Sequence, residues 1–414
     1  MTLRKHLILL RPIWKDSAWS LLCRYVATGL TFIMSIMLAR LLGADGRGTF
    51  SLVQAALDAA LLLCGLGVPK ILLNLSIHAK LDRNLGAPLL VLMGLAFLSS
   101  LLFSGFLALW KPEWGTLLII ASAALLWSRL SLNIVDTRER SGQRLWVYNL
   151  TMLSERVLAL CGLGVLYFYG SGVLGVTTIL FLSVTLTLIL YLWFKPVLWR
   201  KPGRRLVGYI KKRVYQQGFA NVGLGIMVLL FLKSDIFLLG WKQGEAAVGY
   251  YSVAMTLLGL AFTVQMSLAF VMVPRFIRLM GQESGHAENA VFIMAGAAVS
   301  ALTLLGIVAG GYFFLVPLYG EEFTSSVPLL FWFAPFMFFA SLRTLIMTKP
   351  FAEQQNRWLF WRHAEALIFK GVLLLFIPIT AENLAIASCA AAVLLCCRLS
   401  IGLRAQHKKN IGSI

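Results

Sequence analysis

The chain has 414 residues, 59% of them hydrophobic and 13% charged, with a formal net charge of +20. That composition excludes a soluble globular domain: apolar runs of roughly 20 residues, the length a bilayer core of about 30 Å demands, recur from end to end. Nucleic acid is excluded as the reason for the positive charge, because the bases sort by membrane side once they are placed on these runs.

Residues 1–16 hold Arg4, Lys5, Arg11 and Lys15 together with Pro12 and Asp16, and lack the separate apolar core and small-residue cleavage site of a secretory signal. They read as a short cytoplasmic interfacial helix. Six spans follow as an N-lobe over 17–194, at 17–40, 48–71, 87–109, 115–135, 147–169 and 172–194. A basic cytoplasmic linker occupies 195–216, within which "KPVLWRKPGRRLVGYIKKR" carries eight bases and no acid. Six further spans form a C-lobe over 217–403, at 217–240, 248–273, 290–315, 324–347, 358–378 and 384–403, and a cytoplasmic tail covers 404–414. The expected fold class is an all-α polytopic membrane protein of about twelve transmembrane helices in two six-helix lobes.

Twenty-five Lys and Arg fall on the tails, the joint and the even-numbered breaks, whereas the odd-numbered breaks hold only Arg40, Arg47, Lys111 and Lys242. This positive-inside asymmetry places both termini and the joint in the cytoplasm. Trp110, Trp114, Tyr167, Tyr169 and Trp241 at span ends read as the interfacial aromatic belt. The six cysteines lie in apolar spans without CxxC or His-partnered spacing and read as small hydrophobes. "GIVAG" at 306–310 fits GxxxG and reads as ordinary helix packing.

The first two spans of each block share landmarks. "LLGADGRGTFS" at 41–51 and "LLGWKQGEAAVGYYS" at 238–252 both open on Leu-Leu-Gly and lead into Gly48-Thr49-Phe50-Ser51 or Gly249-Tyr250-Tyr251-Ser252. Val68-Pro69-Lys70 then answers to Val273-Pro274-Arg275. Six spans per copy put both copies in the membrane with the same orientation, as a parallel repeat about an axis along the membrane normal, a plan of secondary transporters.

The stretches "ARLLGADGRGTFSLV", "LCGLGVPKIL", "KSDIFLLG", "VGYYSVA" and "VMVPRFI" resemble the polysaccharide flippases of the multidrug/oligosaccharidyl-lipid/polysaccharide (MOP) superfamily, which includes O-antigen flippases of the Wzx type. The resemblance extends to span count and size, and lipid II flippases of the same superfamily usually have two more spans. It implies two six-helix lobes around a central cavity in the bacterial inner membrane. It also implies export of an undecaprenyl-diphosphate-linked oligosaccharide to the periplasmic leaflet by alternating access, with membrane lipids, a polysaccharide polymerase and a chain-length regulator as partners and no nucleic acid.

Eight bases and five acids lie within or beside the spans. A charged residue at a helix centre costs about 2.5 to 3.5 kcal/mol on insertion scales, so each needs a partner, a snorkelling route or water. Lys70, Arg343 and Arg398 lie near cytoplasmic ends and are expected to snorkel. Glu155, Arg156 and Arg129, the last on one helical face with Asn133 and Asp136, are candidates for internal ion pairs or the cavity. Arg24, Arg129, Lys233 and Lys370 are the candidates for a cationic substrate-binding cavity, and the surplus of cations suits a diphosphate. Asp58 and Asp235 are the candidates for a driving proton or sodium ion. No other cofactor is expected. No Walker loop, dinucleotide fingerprint, zinc spacing or sizeable extramembrane loop points to an enzyme, and an ion-coupled multidrug antiporter of the same superfamily is the rival function.

Overall fold

The computed structural model describes residues 2–64, 86–141, 145–170, 172–194, 219–278, 284–352 and 355–411. Within a bilayer every backbone N–H and C=O has to be satisfied inside its own segment, so apolar runs of this length become helices. The first block gives α1 (Thr2–Cys64), α2 (Gly86–Trp110), α3 (Thr116–Ser141), α4 (Leu145–Tyr169) and α5 (Val173–Phe194). The second gives α6 (Phe219–Lys242), α7 (Glu245–Arg278), α8 (Ser284–Tyr319), α9 (Ser326–Ala352), α10 (Asn356–Phe376) and α11 (Ala381–Ile411). Gly43, at φ 65°, divides α1 into two arms, so twelve α-helical segments are described and, among the described residues, no strand. This is a polytopic all-α membrane protein.

Hydropathy marks the hydrocarbon-facing part of a helix and not its end. With 34, 36 and 31 residues, α7, α8 and α11 exceed the roughly 20 that a bilayer requires. They continue as helix through polar residues expected in breaks and tails. At the other terminus α1 runs from Thr2 into the first span, where a separate interfacial helix was expected. Lys15-Asp16-Ser17 offers no glycine or proline to stop it. The basic joint and the first copy's Val-Pro-Lys at 68–70 lie outside the described residues.

The chain divides into two compact units. One comprises Met1–Leu42 and Val53–Val222, the other Gly43–Leu52 and Gly223–Ile414. In the first unit α3, the fourth span of its block, packs on α2 and α5, and α4 packs on α5. In the second, α9 is the fourth span of its block and packs on α8 and α11, while α10 packs on α11. These three pairings recur in both units, as a duplicated six-span block would produce.

The structure corrects which glycines of the repeat correspond. Gly43 has φ 65° and Gly244 φ 85°, a left-handed conformation that glycine adopts without penalty, and each immediately precedes a helix start. Gly240, the partner expected from Leu-Leu-Gly, lies inside α6, where a Cβ would come within 2.8 Å of the Leu52 side chain. The repeat is therefore Gly-Ala-Asp-Gly-Arg-Gly at 43–48 against Gly-Glu-Ala-Ala-Val-Gly at 244–249. Packing within the second unit confirms it by reciprocity. A Cβ on Gly48 would lie 1.7 Å from the carbonyl oxygen of Glu245, and one on Gly249 2.1 Å from that of Ala44. Each glycine meets the residue four before the other, the signature of a local twofold contact.

Polar groups tighten this seat. The Ala44 amide, orphaned by the break at Gly43, donates to Glu322 Oε1 at 2.8 Å, which also puts a carboxylate at the positive end of a helix. Thr49 Oγ1 bonds the Glu245 carboxylate. Arg47, expected in an outer break, lies inside the helix start, buried, with Nη2 donating to Thr256 Oγ1 at 3.4 Å. Of the other glycines, Gly306 and Gly310 would meet nothing within 4 Å on gaining a Cβ, whereas Gly311 would lie 2.5 Å from Leu330. Close packing in α8 thus falls on Gly311, one residue beyond the expected motif, and on Gly296, whose added Cβ would lie 2.5 Å from Leu345.

Candidate functional site

In the second unit, three helices converge on one charged pair. Lys370, from the middle of α10, reaches Asp235 of α6, with Nζ 2.7 Å from Oδ1. Lys370 Nζ also donates to Ser234 Oγ at 2.9 Å, and Ser388 Oγ of α11 donates to Asp235 Oδ2 at 2.9 Å. The Lys370 and Asp235 side chains are 2% and 0% exposed. Both carboxylate oxygens are engaged, so this pair adds no net charge to the unit. Lys233, two residues from Asp235 and therefore about 200° around the helix, is half-buried on another side of α6.

A second buried cluster was not expected from the sequence. Arg343 of α9 is 3% exposed and does not snorkel. Its Nη1 lies 3.2 Å from His363 Nε2 on α10, and its guanidinium stacks 5.4 Å from the centroid of Phe231. His363 Nδ1 lies 2.7 Å from the Leu359 carbonyl, so Nδ1 carries the proton and Nε2 accepts from Arg343. A neutral imidazole is thus the partner of a buried cation. Arg362 pairs with Glu365 at 2.8 Å, and Arg398 Nε joins the same carboxylate at 3.3 Å on the open side of α10. The wide spread of charges along α10 was the available signal; which face each would take was not legible.

The first unit is looser. Arg129 of α3 stands 3.6 Å from Glu155 of α4, and Arg156 stands 3.9 Å from the same oxygen, all three side chains half-buried. Asp136, expected to share the Arg129 face, accepts from Thr151 Oγ1 at 2.8 Å. Arg24 is half-buried on α1, beside the buried face formed by Ser20, Cys23 and Ala27. Asp58 is half-buried and accepts from Gln54 Nε2, one helical turn away, at 3.2 Å. Tyr191 donates to Glu139, a buried carboxylate near the end of α3 that sequence reasoning passed over because it sits beyond the apolar window. Of the six predicted residues, then, Asp235 and Lys370 are brought together, and Arg129 meets a carboxylate outside that set. Among the described residues no group of three or more His, Cys, Asp or Glu could hold a metal ion.

A family model described as polysaccharide biosynthesis protein matches residues 13–280. No curated protein matches the chain. Among solved structures, the chain is similar to the lipid II flippase MurJ in an inward closed conformation, with a TM-score of 0.69 and 11% identity over 94% of this chain and 87% of that one. It is similar also to a MOP superfamily transporter from Pyrococcus furiosus, for which a reversed polarity of the binding pocket suggests a different function, with a TM-score of 0.65 and 14% identity over 94% and 95%. An inward-facing MATE family multidrug resistance transporter of the MOP superfamily gives 0.63 and 14% over 94% and 99%. At these identities the likeness is one of fold.

Proposed function

The chain belongs to the polysaccharide biosynthesis protein family, and on that premise we propose that it is a flippase for undecaprenyl-diphosphate-linked oligosaccharide, an O-antigen repeat unit or a similar polysaccharide unit. It moves this cargo from the cytoplasmic to the periplasmic leaflet of a bacterial inner membrane, with both of its own termini in the cytoplasm. The family match is the observation that carries the proposal. The physical need is plain: one hydroxyl moved to an alkane-like phase without a partner costs on the order of 4 to 8 kcal/mol, so an oligosaccharide requires an enclosed polar path.

Arg24 grips the diphosphate from the cytoplasmic side, with Arg129 and Lys233 as further cations along the path, while the polyprenyl tail stays in lipid. Alternating access releases the glycan on the far side, and Asp58 is the acid proposed to bind a driving proton or sodium ion. A polysaccharide polymerase and a chain-length regulator would act on the released unit.

Three of the five acids within or beside the spans support this reading over the multidrug antiporter. Asp235 is paired with Lys370, Glu155 faces Arg129 and Arg156, and Glu365 faces Arg362 and Arg398. A cation carrier needs carboxylates ready for its cargo, and these three already face bases. The test is deletion of the gene in its bacterial source, with surface polysaccharide and lipid-linked glycan measured after complementation by wild type or Arg24→Ala at matched expression. Loss of surface glycan with accumulation of the lipid-linked precursor, reversed by wild type alone, is expected. Unchanged surface glycan with increased sensitivity to cationic drugs would replace the flippase with the antiporter.

A further inference from the structure

The environment of the Lys370 ammonium has the chemistry of a small-cation site. Asp235 presents one carboxylate oxygen at 2.7 Å and Ser234 a hydroxyl oxygen at 2.9 Å, and Ser388 fixes the other carboxylate oxygen by donating to it at 2.9 Å. The Tyr251 hydroxyl of α7, in the same unit, is 1% exposed and has no hydrogen-bond partner among the described residues. Hard oxygen donors around one negative charge, closed off from solvent, are what an alkali-metal ion requires. The ammonium is likewise a compact point charge, delivered here on a four-carbon stem from α10.

We propose that Asp235, Ser234 and Ser388 form a monovalent-cation site that the chain fills with its own Lys370, so that wild-type protein takes up no sodium ion there. Tethering sets the competition. The ammonium is always present at its site, at an effective concentration on the order of millimolar or more, whereas a free ion must enter from bulk and lose its water. A site occupied by a tether is electrically complete without salt. Shortening the tether empties it and leaves a buried carboxylate with an oxygen-lined space beside it, which a free cation of similar size fills. This inference concerns binding and does not rest on the flippase reading.

The experiment follows thermal unfolding of the full-length protein in lipid nanodiscs in sodium chloride, methylammonium chloride or choline chloride at matched ionic strength. Wild type is expected to unfold at the same temperature in all three. Lys370→Ala should unfold lower in choline and be raised on the order of 2–4 °C or more by sodium or methylammonium, because a ligand that binds only the folded state stabilises it by mass action. Asp235→Asn/Lys370→Ala should lose that response. Lys370→Met is a second probe with a better-filled cavity, and a protein recoverable only in sodium or methylammonium also supports the proposal. Stabilisation of wild type by sodium over choline, abolished by Asp235→Asn, would overturn it, and that measurement needs no lysine variant. Identical behaviour of the lysine variants in all three salts would also overturn it, leaving a structural ion pair only.

Discussion

In the second unit Lys370 and Asp235 meet at 2.7 Å with side chains 2% and 0% exposed, whereas in the first unit Arg129 stands 3.6 Å from Glu155 with 18% and 14% exposed. One carboxylate is saturated by an ammonium and a hydroxyl. The other is shared between two guanidinium groups, neither in close contact. A fully enclosed pair with short contacts is committed to holding its helices together, since parting it strands two charges in a low-dielectric interior. A longer, partly open contact costs less to break and its arginine is better placed to exchange the carboxylate for another anion. The duplicated blocks thus keep one packing scheme and give their charges different work.

The contrast can be broken by removing one cation from each unit. In choline chloride Lys370→Met leaves Asp235 buried and uncompensated and is expected to destabilise by about 3–5 kcal/mol, against about 1 kcal/mol or less for Arg129→Met. Thermal or denaturant unfolding in nanodiscs reads both. Equal losses would mean that the two pairs do the same structural work. Adding Asp235→Asn to Lys370→Met should recover most of the loss, because the pair is then replaced by neutral groups.

Next in size is the seat of Gly43–Leu52 in the second unit. In Gly48→Ala the new methyl would sit 1.7 Å from a backbone carbonyl, which no side-chain rotation relieves. Overpacking of this kind costs typically 1–3 kcal/mol, and here it should also displace the helix start from Glu322. Gly306→Ala, with nothing within 4 Å, should instead be neutral or stabilising by up to about 1 kcal/mol, as expected for a helical glycine. If both substitutions leave unfolding and export unchanged, the reciprocal glycine contact carries no weight. Arg24→Ala sharpens the comparison from the functional side: export should fall while stability stays within about 0.5 kcal/mol of wild type, the range of substitutions outside the packed interior.

The fold class was legible because a bilayer simplifies the problem. Length and hydropathy alone located the helices, and the family resemblance rested on the motifs around Gly48 and Gly249. The finer register was not. Leu-Leu-Gly opens both copies, but Gly43 is glycine for its backbone angle and Gly240 for its closeness to Leu52, and identical letters conceal these different causes. Among the charges, the i,i+2 spacing separated Lys233 from Asp235 correctly. Nothing in sequence could say that Lys370, more than a hundred residues away, would reach Asp235, or that Arg343 would turn inward to His363 when a route to the interface looked open. Partner choice between helices depends on rotation about each helix axis, which a nearly uniform apolar surface leaves unspecified.

The smallest effect is expected where charge is neither buried nor bridging helices. Lys111 and Glu113, in the turn after α2, are 2.9 Å apart with the Glu113 side chain 59% exposed. The hydrogen bond from the Lys111 ammonium, helped by one from the backbone, holds the Glu113 carboxyl below its ordinary value of 4.5. A carboxyl lowered in the folded state stabilises above its unfolded value, and that contribution disappears as pH falls through the lowered one. Any influence of Glu113 therefore belongs to neutral pH and vanishes in acid. Because solvent screens the pair, the unfolding curves of Glu113→Gln and wild type should superimpose at neutral pH and stay together on acidification. A clear loss at neutral pH that closes as the pH drops below 4.5 would show that even this open turn is held by its charges, and would weaken burial as the explanation for the difference between the two units.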